Sequence, residues 1–439
     1  MSSTTLRLAV VGTGYVGLTT GACLAHLGHD VVCGDIDARK IDLLRQGRIP
    51  IVEDGLEAIV KAGHDAGRLD FVVGSQAAAQ GADIVFLCVP TPDGDDGSAD
   101  LSYVERAAAE IGPVLAPGTI VVNKSTVPVG STIVVENMIR RDDIFVVSNP
   151  EFLREGTAVT DFLHPDRIVI GAADPAAAER VAEIYRDISA PVLITDPASA
   201  EAIKYAANGF LAMKISFVNA VAAMCEAVGA DVSAVVAGIG SDRRIGTQFL
   251  NPGPGWGGSC FPKDSRALVK IAEEHGYNFT MMRGVIDVND EQRQRMVDKI
   301  HRACGRDDGD LSGTTIAALG LTFKAGTDDL RESPALAIIA ELRRAGAHVR
   351  AFDPTTRAAL SPHQVEALAG IEVVADLDEL AVDANVIAVF TEWPEFAKID
   401  LAAMAAVARS GAVVVDTRNL LEPDLVRQAG LEYDGVGRR

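Results

Sequence analysis

The 439-residue chain lacks a basic excess: 40 Lys and Arg stand against 61 Asp and Glu, a formal net charge of −21. Nucleic-acid affinity is built largely on a basic surface, so this balance argues against a nucleic-acid partner, and against docking on an anionic membrane. A basic pocket for a small anion stays compatible, because net charge describes the whole surface rather than one cleft. The six cysteines, Cys23, Cys33, Cys88, Cys225, Cys260 and Cys304, include no pair at C-x-x-C spacing, and no His-rich cluster accompanies them. Neither a metal site nor a disulfide framework is signalled. The first residues lack a signal-peptide layout, and no apolar run approaches the roughly 18 residues of a membrane span. A reducing cytoplasm is the resulting expectation. None of the six tyrosines begins a Tyr-x-x-x-Lys, the catalytic pair of short-chain reductases and sugar epimerases. No G-x-x-x-x-G-K-[S/T] occurs either, which argues against a P-loop NTPase.

What is present is an ordinary globular composition, 48% hydrophobic and 23% charged, which excludes bulk disorder. At roughly 100–200 residues per domain, the length allows two or three domains. An apolar run at residues 6–11 ends in Gly12-Thr-Gly14-Tyr15-Val16-Gly17; a helical pattern follows to Leu27, then Gly28, then a second apolar run ending in Asp35. That order is one βαβ unit. Further strand candidates lie at 71–73, 83–89, 119–123, 144–148 and 167–171, with helical stretches at 103–115 and 176–188 among those between them. The alternation implies a mostly parallel sheet covered on both faces.

After Asp196-Pro197 the pattern changes. Asp196 suits an N-cap and Pro197 a first helical position, and apolar periodicity then runs to Val228 with Gly229 as a stop. A helix of roughly 30 residues reads as a spine between domains, with Gly209 as its weak point. A Gly/Pro-rich stretch at 251–264 follows, helical pattern resumes to about Ala303, and the polar segment 305–312 reads as a linker. Beyond it, strand patterns at 314–319 and 348–352 flank a helical pattern at 334–345, and the second strand again ends in an aspartate, Asp353. A second doubly wound domain is expected. Its opening turn, Gly320-Leu-Thr-Phe323-Lys324, departs from G-x-G-x-x-G, so it is expected to bind something other than a dinucleotide.

The Gly12/Gly14/Gly17 fingerprint has the right context, strand before and helix after. Its glycines allow the tight turn, the approach of pyrophosphate and the packing of helix on strand. The phosphates would meet the helix N-terminus. Asp35 would accept the adenosine ribose hydroxyls and repel a 2′-phosphate, so NAD is expected over NADP. Lys40 suits either the adenosine end or a solvated helix face.

Cys260 lies in Gly257-Gly258-Ser259-Cys260-Phe261-Pro262-Lys263-Asp264. A thiolate is a strong nucleophile that needs a positive or N–H-rich setting. The two glycines allow close approach of a substrate, while Lys263 and Asp264 supply charge or orient water. A lone cysteine is more often structural; this loop brings the two readings into balance. Lys204 and Asn208, four apart on one helix, share a face. They suit either a polar cleft, where Lys204 acts as acid, base or oxyanion partner, or a wet helix face. Glu151, Glu155 and Thr126 follow strand candidates, where ligands of parallel sheets bind, although each alone is an ordinary loop residue.

Taken together, these strings resemble the nucleotide-sugar 6-dehydrogenases of the UDP-glucose/GDP-mannose dehydrogenase family. The resemblance runs in order through Gly12–Gly17, Val89-Pro-Thr91-Pro92, Lys124-Ser-Thr126-Val-Pro, Asn149-Pro-Glu151-Phe152-Leu153-Arg154-Glu155-Gly and Lys204-x-x-x-Asn208. It continues through Arg244-Ile-Gly, the Cys260 loop, Phe323-Lys324 and Arg418. It implies two Rossmann-like doubly wound domains joined by a long central helix and a helical middle domain. Residues 1–196 would bind NAD, 197–304 would carry the Cys loop and a homodimer interface, and 313–439 would bind the UDP-sugar. It further implies oxidation of the C6 alcohol of UDP-glucose to a carboxylate with two NAD, through a thiohemiacetal and a thioester on Cys260. Lys204 and Asn208 would stabilise the oxyanion, while Asp264, Thr126 and Glu151 would handle protons or water. Gly12, Gly14, Tyr15, Val16, Gly17, Asp35, Lys40, Thr91, Thr126, Glu155 and Lys263 would serve the cofactor. Glu151, Phe152, Leu153, Arg154, Glu155, Lys204, Asn208, Arg244, Phe249, Leu250, Asn251, Gly253, Gly257, Phe323, Lys324 and Arg418 would hold the substrate.

Two rivals stand beside this reading. A GDP-mannose 6-dehydrogenase shares the Cys loop, often with Leu where this chain has Phe261. A non-catalytic nucleotide-sugar sensor would share the fold, but it has no reason to keep Cys260, Lys204, Asn208 and Asp264 together.

Overall fold

The structure is a computed structural model and describes residues 5–94, 97–306, 309–357 and 360–438. Asp307 and Asp308 of the expected linker lie outside the described residues. The chain divides into two compact units, one of Met1–Ala207 with Arg266–Tyr277 and one of Asn208–Ser265 with Asn278–Arg439.

In the first unit the expected strands appear within a few residues of their sequence positions: β1 (Arg7–Val11), β2 (Asp30–Asp35), β3 (Leu69–Val73), β4 (Ile84–Leu87), β5 (Ile120–Asn123), β6 (Phe145–Ser148) and β7 (Ile168–Ala172). An eighth, β8 (Val192–Thr195), completes a sheet of order β3-β2-β1-β4-β5-β6-β7-β8. All neighbours are parallel except β6 and β7. Strand β8 escapes the sequence pattern because it is an edge strand whose apolar residues Val192, Leu193 and Ile194 are exposed. Successive side chains of β1 enter opposite layers: Leu8 and Val10 join one buried cluster, Ala9 and Val11 the other. A strand buried on both faces needs apolar residues at every position, which is why these segments read as continuous runs.

The second unit holds β9 (Thr315–Leu319), β10 (His348–Phe352), β11 (Glu372–Val373), β12 (Val386–Val389), β13 (Val413–Asp416) and β14 (Glu432–Gly435), all parallel, in the order β11-β10-β9-β12-β13-β14. Both sheets reverse strand order once around their first strand, between β1 and β4 and between β9 and β12. These are the crevices where ligands of open parallel sheets bind. The fold is thus two Rossmann-like α/β domains with a long helix and a helical segment between them in the chain.

The spine helix runs Pro197–Val228. Asp196 caps it as expected, its Oδ1 accepting the Ser199 N–H at 2.8 Å, and Gly229 ends it at φ 78°. By length and composition this helix could cross a membrane, with a mean hydropathy of 1.5 over its best 18-residue window, which corrects the expectation that no segment approaches that size. Its Glu201, Lys204, Asn208, Ser216 and Asn219 are nonetheless buried with protein partners. Paired buried polar groups mark a helix packed in protein. Helices Val232–Gly240, Phe261–Glu274 and Thr280–Ala303 follow it.

Candidate active site

In the first unit the three fingerprint glycines have separate reasons to be glycine. Gly12 has φ 95°, and a Cβ there would lie 2.6 Å from the Cys88 carbonyl oxygen. A Cβ on Gly17 would lie 1.9 Å from the Gly12 carbonyl oxygen, so helix and strand touch there. A Cβ on Gly14 would meet nothing within 4 Å; the space over it is open, as a pyrophosphate requires. Gly14 is also the N-cap of helix Tyr15–His26 and offers no side-chain cap, leaving that terminus to an anion. The residues fit a dinucleotide.

Asp35 closes β2. Its Oδ2 accepts the Thr13 N–H at 2.9 Å, the Thr13 hydroxyl at 2.6 Å and the Lys40 ammonium at 3.1 Å, while Oδ1 accepts the Asp37 N–H at 3.0 Å. Burial pushes its carboxyl up, but the Thr13 and Asp37 donors and Lys40 outweigh that and hold it below its ordinary value. Lys40 pairs with Asp35 at 3.1 Å and keeps 29% of its side chain exposed. Tyr15 accepts the Gly156 N–H on its hydroxyl, so the helix that follows the fingerprint touches the loop just beyond Glu155. Val16 packs against the same core.

Glu151 follows β6 and is buried. Its Oε1 accepts the Lys204 ammonium at 2.9 Å and its Oε2 the Leu153 N–H at 2.6 Å. Burial pushes this carboxyl up; Lys204, the Leu153 N–H and, at longer range, Lys124 prevail and hold it low. Phe152 carries the Arg167 guanidinium 3.6 Å from its ring centroid and the Lys204 ammonium at 5.5 Å. Leu153 packs on the core, and Arg154 is exposed and ion-paired with Asp161 at 2.6 Å. Thr91 and Thr126 meet, the Thr91 hydroxyl donating to the Thr126 carbonyl at 2.9 Å.

In the second unit Cys260 immediately precedes helix Phe261–Glu274, its carbonyl accepting the Asp264 N–H at 2.8 Å. The thiol thus stands at a helix N-terminus, a setting that favours thiolate. Cys23, Cys33, Cys88 and Cys225 are buried, whereas Cys260 is only half-buried, and none of the six is disulfide-bonded. Asp264 is buried and receives two donors: the Asn208 amide at 2.6 Å on Oδ2 and the Lys263 ammonium at 2.6 Å on Oδ1. Lys204 and Asn208 are both buried, so neither is a wet-face residue.

The glycines before Cys260 are required by close packing within the protein. A Cβ on Gly257 would sit 2.0 Å from the Glu332 carbonyl, and one on Gly258 would sit 2.7 Å from the Phe323 ring. Arg418, after β13, donates to the Phe390 carbonyl at 2.8 Å and the Phe323 carbonyl at 3.0 Å, and pairs with Glu392 at 3.0 Å. A Cβ on Gly253 would lie 3.3 Å from its guanidinium, and the Lys324 ammonium stands 5.6 Å from the Phe323 ring centroid. Gly253, Phe323, Lys324 and Arg418 are therefore brought together around the ends of β9, β12 and β13. Phe249 takes a left-handed φ of 61° and tilts against Phe261 at 6.3 Å; Leu250 is buried and Asn251 exposed. Arg244 stands apart, 88% exposed and paired with Asp242 two residues away.

Several anchors went unnoticed in the sequence. Buried Glu53 accepts the Gly156 and Ala158 N–H groups, each at 2.7 Å. Asn219 accepts the Gly253 N–H, Gln292 donates to its carbonyl, Asn289 brackets the Trp256 peptide, and Ser216 receives the Trp256 indole N–H. Only Ser216 and Asn219 carry a signal, polarity inside the apolar helix Pro197–Val228. Asp353 mirrors Asp35 but is filled: it accepts from Leu321, Thr322, Thr355 and the Trp393 indole, and is fully buried. Its carboxylate oxygens are taken up by donors of the same unit.

Three domains of one family match in order: the NAD binding domain of the UDP-glucose/GDP-mannose dehydrogenase family over residues 6–189, its central domain over 198–291 and its UDP binding domain over 317–423. The UDP-glucose 6-dehydrogenase of Rhizobium meliloti (strain 1021) is 45% identical over 443 residues, covering 99% of this chain and 100% of that protein. UDP-glucose 6-dehydrogenase TuaD of Bacillus subtilis (strain 168) is 43% identical, covering 98% and 93%. Among solved structures, a UDP-glucose dehydrogenase from the archaeon Pyrobaculum islandicum superposes with a TM-score of 0.90 at 36% identity, covering 100% of this chain and 99% of that one. On the order of its motifs and the match along its length, the chain belongs to the UDP-glucose/GDP-mannose dehydrogenase family.

Proposed function

We propose that the protein oxidises the C6 alcohol of UDP-glucose to the carboxylate of UDP-glucuronate. The observation that carries the chemistry is Cys260 at a helix head, beside the Asn208–Asp264–Lys263 chain of hydrogen bonds. Bound NAD supplies the hydride acceptor for each of the two oxidations. Cys260 adds its sulfur to the C6 aldehyde, giving a thiohemiacetal whose C–H is the hydride of the second oxidation. The resulting thioester is hydrolysed by water, which releases the acid and restores the thiol. Keeping the aldehyde covalently bound lets one pocket carry out both steps. Lys204 and Asn208 are the donors assigned to the developing oxyanion; Glu151 holds Lys204, and Asp264 holds Asn208. Asp264, Thr126 and Glu151 are assigned to protons and the hydrolytic water.

We assign NAD to residues 1–196, on Gly12, Gly14, Gly17 and Asp35 with Tyr15, Val16, Lys40, Thr91, Thr126, Glu155 and Lys263. Residues 313–439 are assigned to the uridine nucleotide through Phe323, Lys324 and Arg418, and the segment 197–304 to the Cys loop and a homodimer. The dimer is supported by an apolar stripe on the spine helix: Phe210, Phe217, Met224 and Val228 lie on one face and are 52–70% exposed. Phe217→Asp is expected to convert dimer to monomer in light scattering. Unbridged cysteines suit a reducing cytoplasm.

The test is the yield of NADH with excess NAD and limiting UDP-glucose. Two NADH per sugar, with UDP-glucuronate as product, is expected. One would mean that the reaction stops at the aldehyde. None with UDP-glucose but two with GDP-mannose would reassign the substrate.

A further inference from the structure

Glu201 lies one turn before Lys204 on the spine helix and is 2% exposed. Its carboxylate reaches a distant turn: Oε2 accepts the Gly130 N–H at 2.6 Å, and Oε1 accepts the Thr132 N–H at 2.9 Å and the Thr132 hydroxyl at 2.7 Å. These donors open helix Ser131–Ile139. Its N-cap, Gly130, sits at φ 96° and brings no capping side chain. Helices are ordinarily capped by a neighbour in sequence; this one is capped by a residue from the spine helix. No cation among the described residues pairs with Glu201, and burial pushes its carboxyl up against the three donors. A charged group held this way is costly to bury, so the turn it fixes is the natural place to look for its use.

That turn begins at Thr126, whose carbonyl accepts the Thr91 hydroxyl. Direct hydrogen bonds thus run from the spine helix to the turn's end at Gly130 and Thr132, and from the turn's start at Thr126 to Thr91. Three residues further along the same helix, Lys204 holds Glu151. The segments that leave β5 and β6 are therefore fastened to one helix by side chains one turn apart. Over a single turn a helix is stiff, so the two fastenings keep a fixed spacing.

We propose that Glu201 is a positioning residue for the reaction: it fixes the 126–132 turn, and with it Thr126 and Thr91, relative to Lys204. The proposal rests on the reading above, in which these threonines serve the cofactor. A glutamine at 201 would keep one acceptor oxygen but turn an NH2 toward donors, so it tests the carboxylate without emptying the site.

The experiment is a double-mutant cycle on NAD affinity, measured by titration calorimetry with no sugar present, for wild type, Glu201→Gln, Thr126→Ala and the double variant. Each single change is expected to weaken NAD about tenfold, and the double variant to be no more than about threefold weaker than the weaker single one. In turnover, Glu201→Gln is expected to lower kcat while leaving the KM for UDP-glucose within about threefold. Thr132→Val removes one donor only and is expected to lose affinity in the same direction, so a poorly folded Glu201 variant does not end the test. Effects of Glu201→Gln and Thr126→Ala that multiply overturn the proposal, as does NAD affinity within twofold of wild type in either single variant. A wild-type protein that binds NAD but fails to oxidise UDP-glucose would sink the functional reading and leave the binding cycle standing.

Discussion

The ammonium of Lys204 sits 2.9 Å from Oε1 of Glu151, and both side chains are buried within one compact unit. Breaking such a pair from one side strands a charge, typically at about 3–5 kcal/mol. Lys204→Met is therefore expected to lower unfolding free energy by that order in urea melts. Lys204→Met with Glu151→Leu should be more stable than Lys204→Met alone, although inactive. A double variant weaker than both singles would mean that the pair is not what the burial protects.

The same contact sets a pH dependence. Burial raises the Glu151 carboxyl, but Lys204, the Leu153 N–H and Lys124 hold it below its ordinary 4.5. A depressed native value contributes stability that is full above the unfolded value and is lost as pH falls through the native one. The melting-temperature advantage of wild type over Glu151→Gln should hold from about pH 8 to about pH 5 and shrink only below about pH 4.5. Calorimetric scans across that range check it; an advantage that is already gone at pH 6 contradicts the geometry.

Among the cysteines, Cys260 should react first. Burial pushes the Cys23 and Cys88 thiols up to about 12 and that of Cys304 up to about 11, whereas Cys260 is half-buried at a helix head. Iodoacetamide at neutral pH should add one group, mapped to Cys260 by peptide mass, with loss of turnover in step. Cys260→Ala should yield no UDP-glucuronate. Equal labelling of Cys304 would remove the argument from position.

Asp35 is proposed to set the preference for NAD over NADP. Its carboxylate is held ionised by Thr13, Asp37 and Lys40, so preference for NAD over NADP should be flat through mildly acidic pH. Asp35→Ala should weaken NAD about tenfold, the loss of one charge-assisted contact, and narrow the gap to NADP. Titrating both cofactors reads this directly.

Asn289 is buried and makes two hydrogen bonds to the Trp256 peptide, four residues before Cys260. Asn289→Leu leaves an N–H and a carbonyl unpaired, at about 1–3 kcal/mol each. A lower melting temperature and slower alkylation of Cys260 are expected together. A stability loss with unchanged alkylation would confine Asn289 to the fold.

Much of this was legible along the chain. The double-faced burial of β1, β4 and β5 forces apolar residues at every position, so these strands declare themselves. Gly12 and Gly17 are required by contacts within one βαβ unit, and Asp196 and Gly229 bound the spine helix through purely local rules. Strand β8 was not legible, because its apolar residues face outward. Nor were Glu53, Glu201, Asn219, Asn289 and Gln292, since each is an ordinary polar residue until the fold puts a backbone donor or acceptor against it.

The sequence by itself determined the parallel α/β alternation, the dinucleotide turn, the long helix and the cysteine worth singling out, because periodicity, φ preference and thiol chemistry act over a few neighbouring residues. Only the tertiary structure decided that Lys204 and Asn208 are buried with carboxylate partners, that Gly257 and Gly258 make room for Glu332 and Phe323, and that Asp353 is fully buried with the Trp393 indole on it while Asp35 keeps 10% of its side chain exposed. Those outcomes depend on which atoms meet across tens to hundreds of residues. A hydrogen bond or a close approach is a property of two positions in space, and one-dimensional spacing carries no record of it.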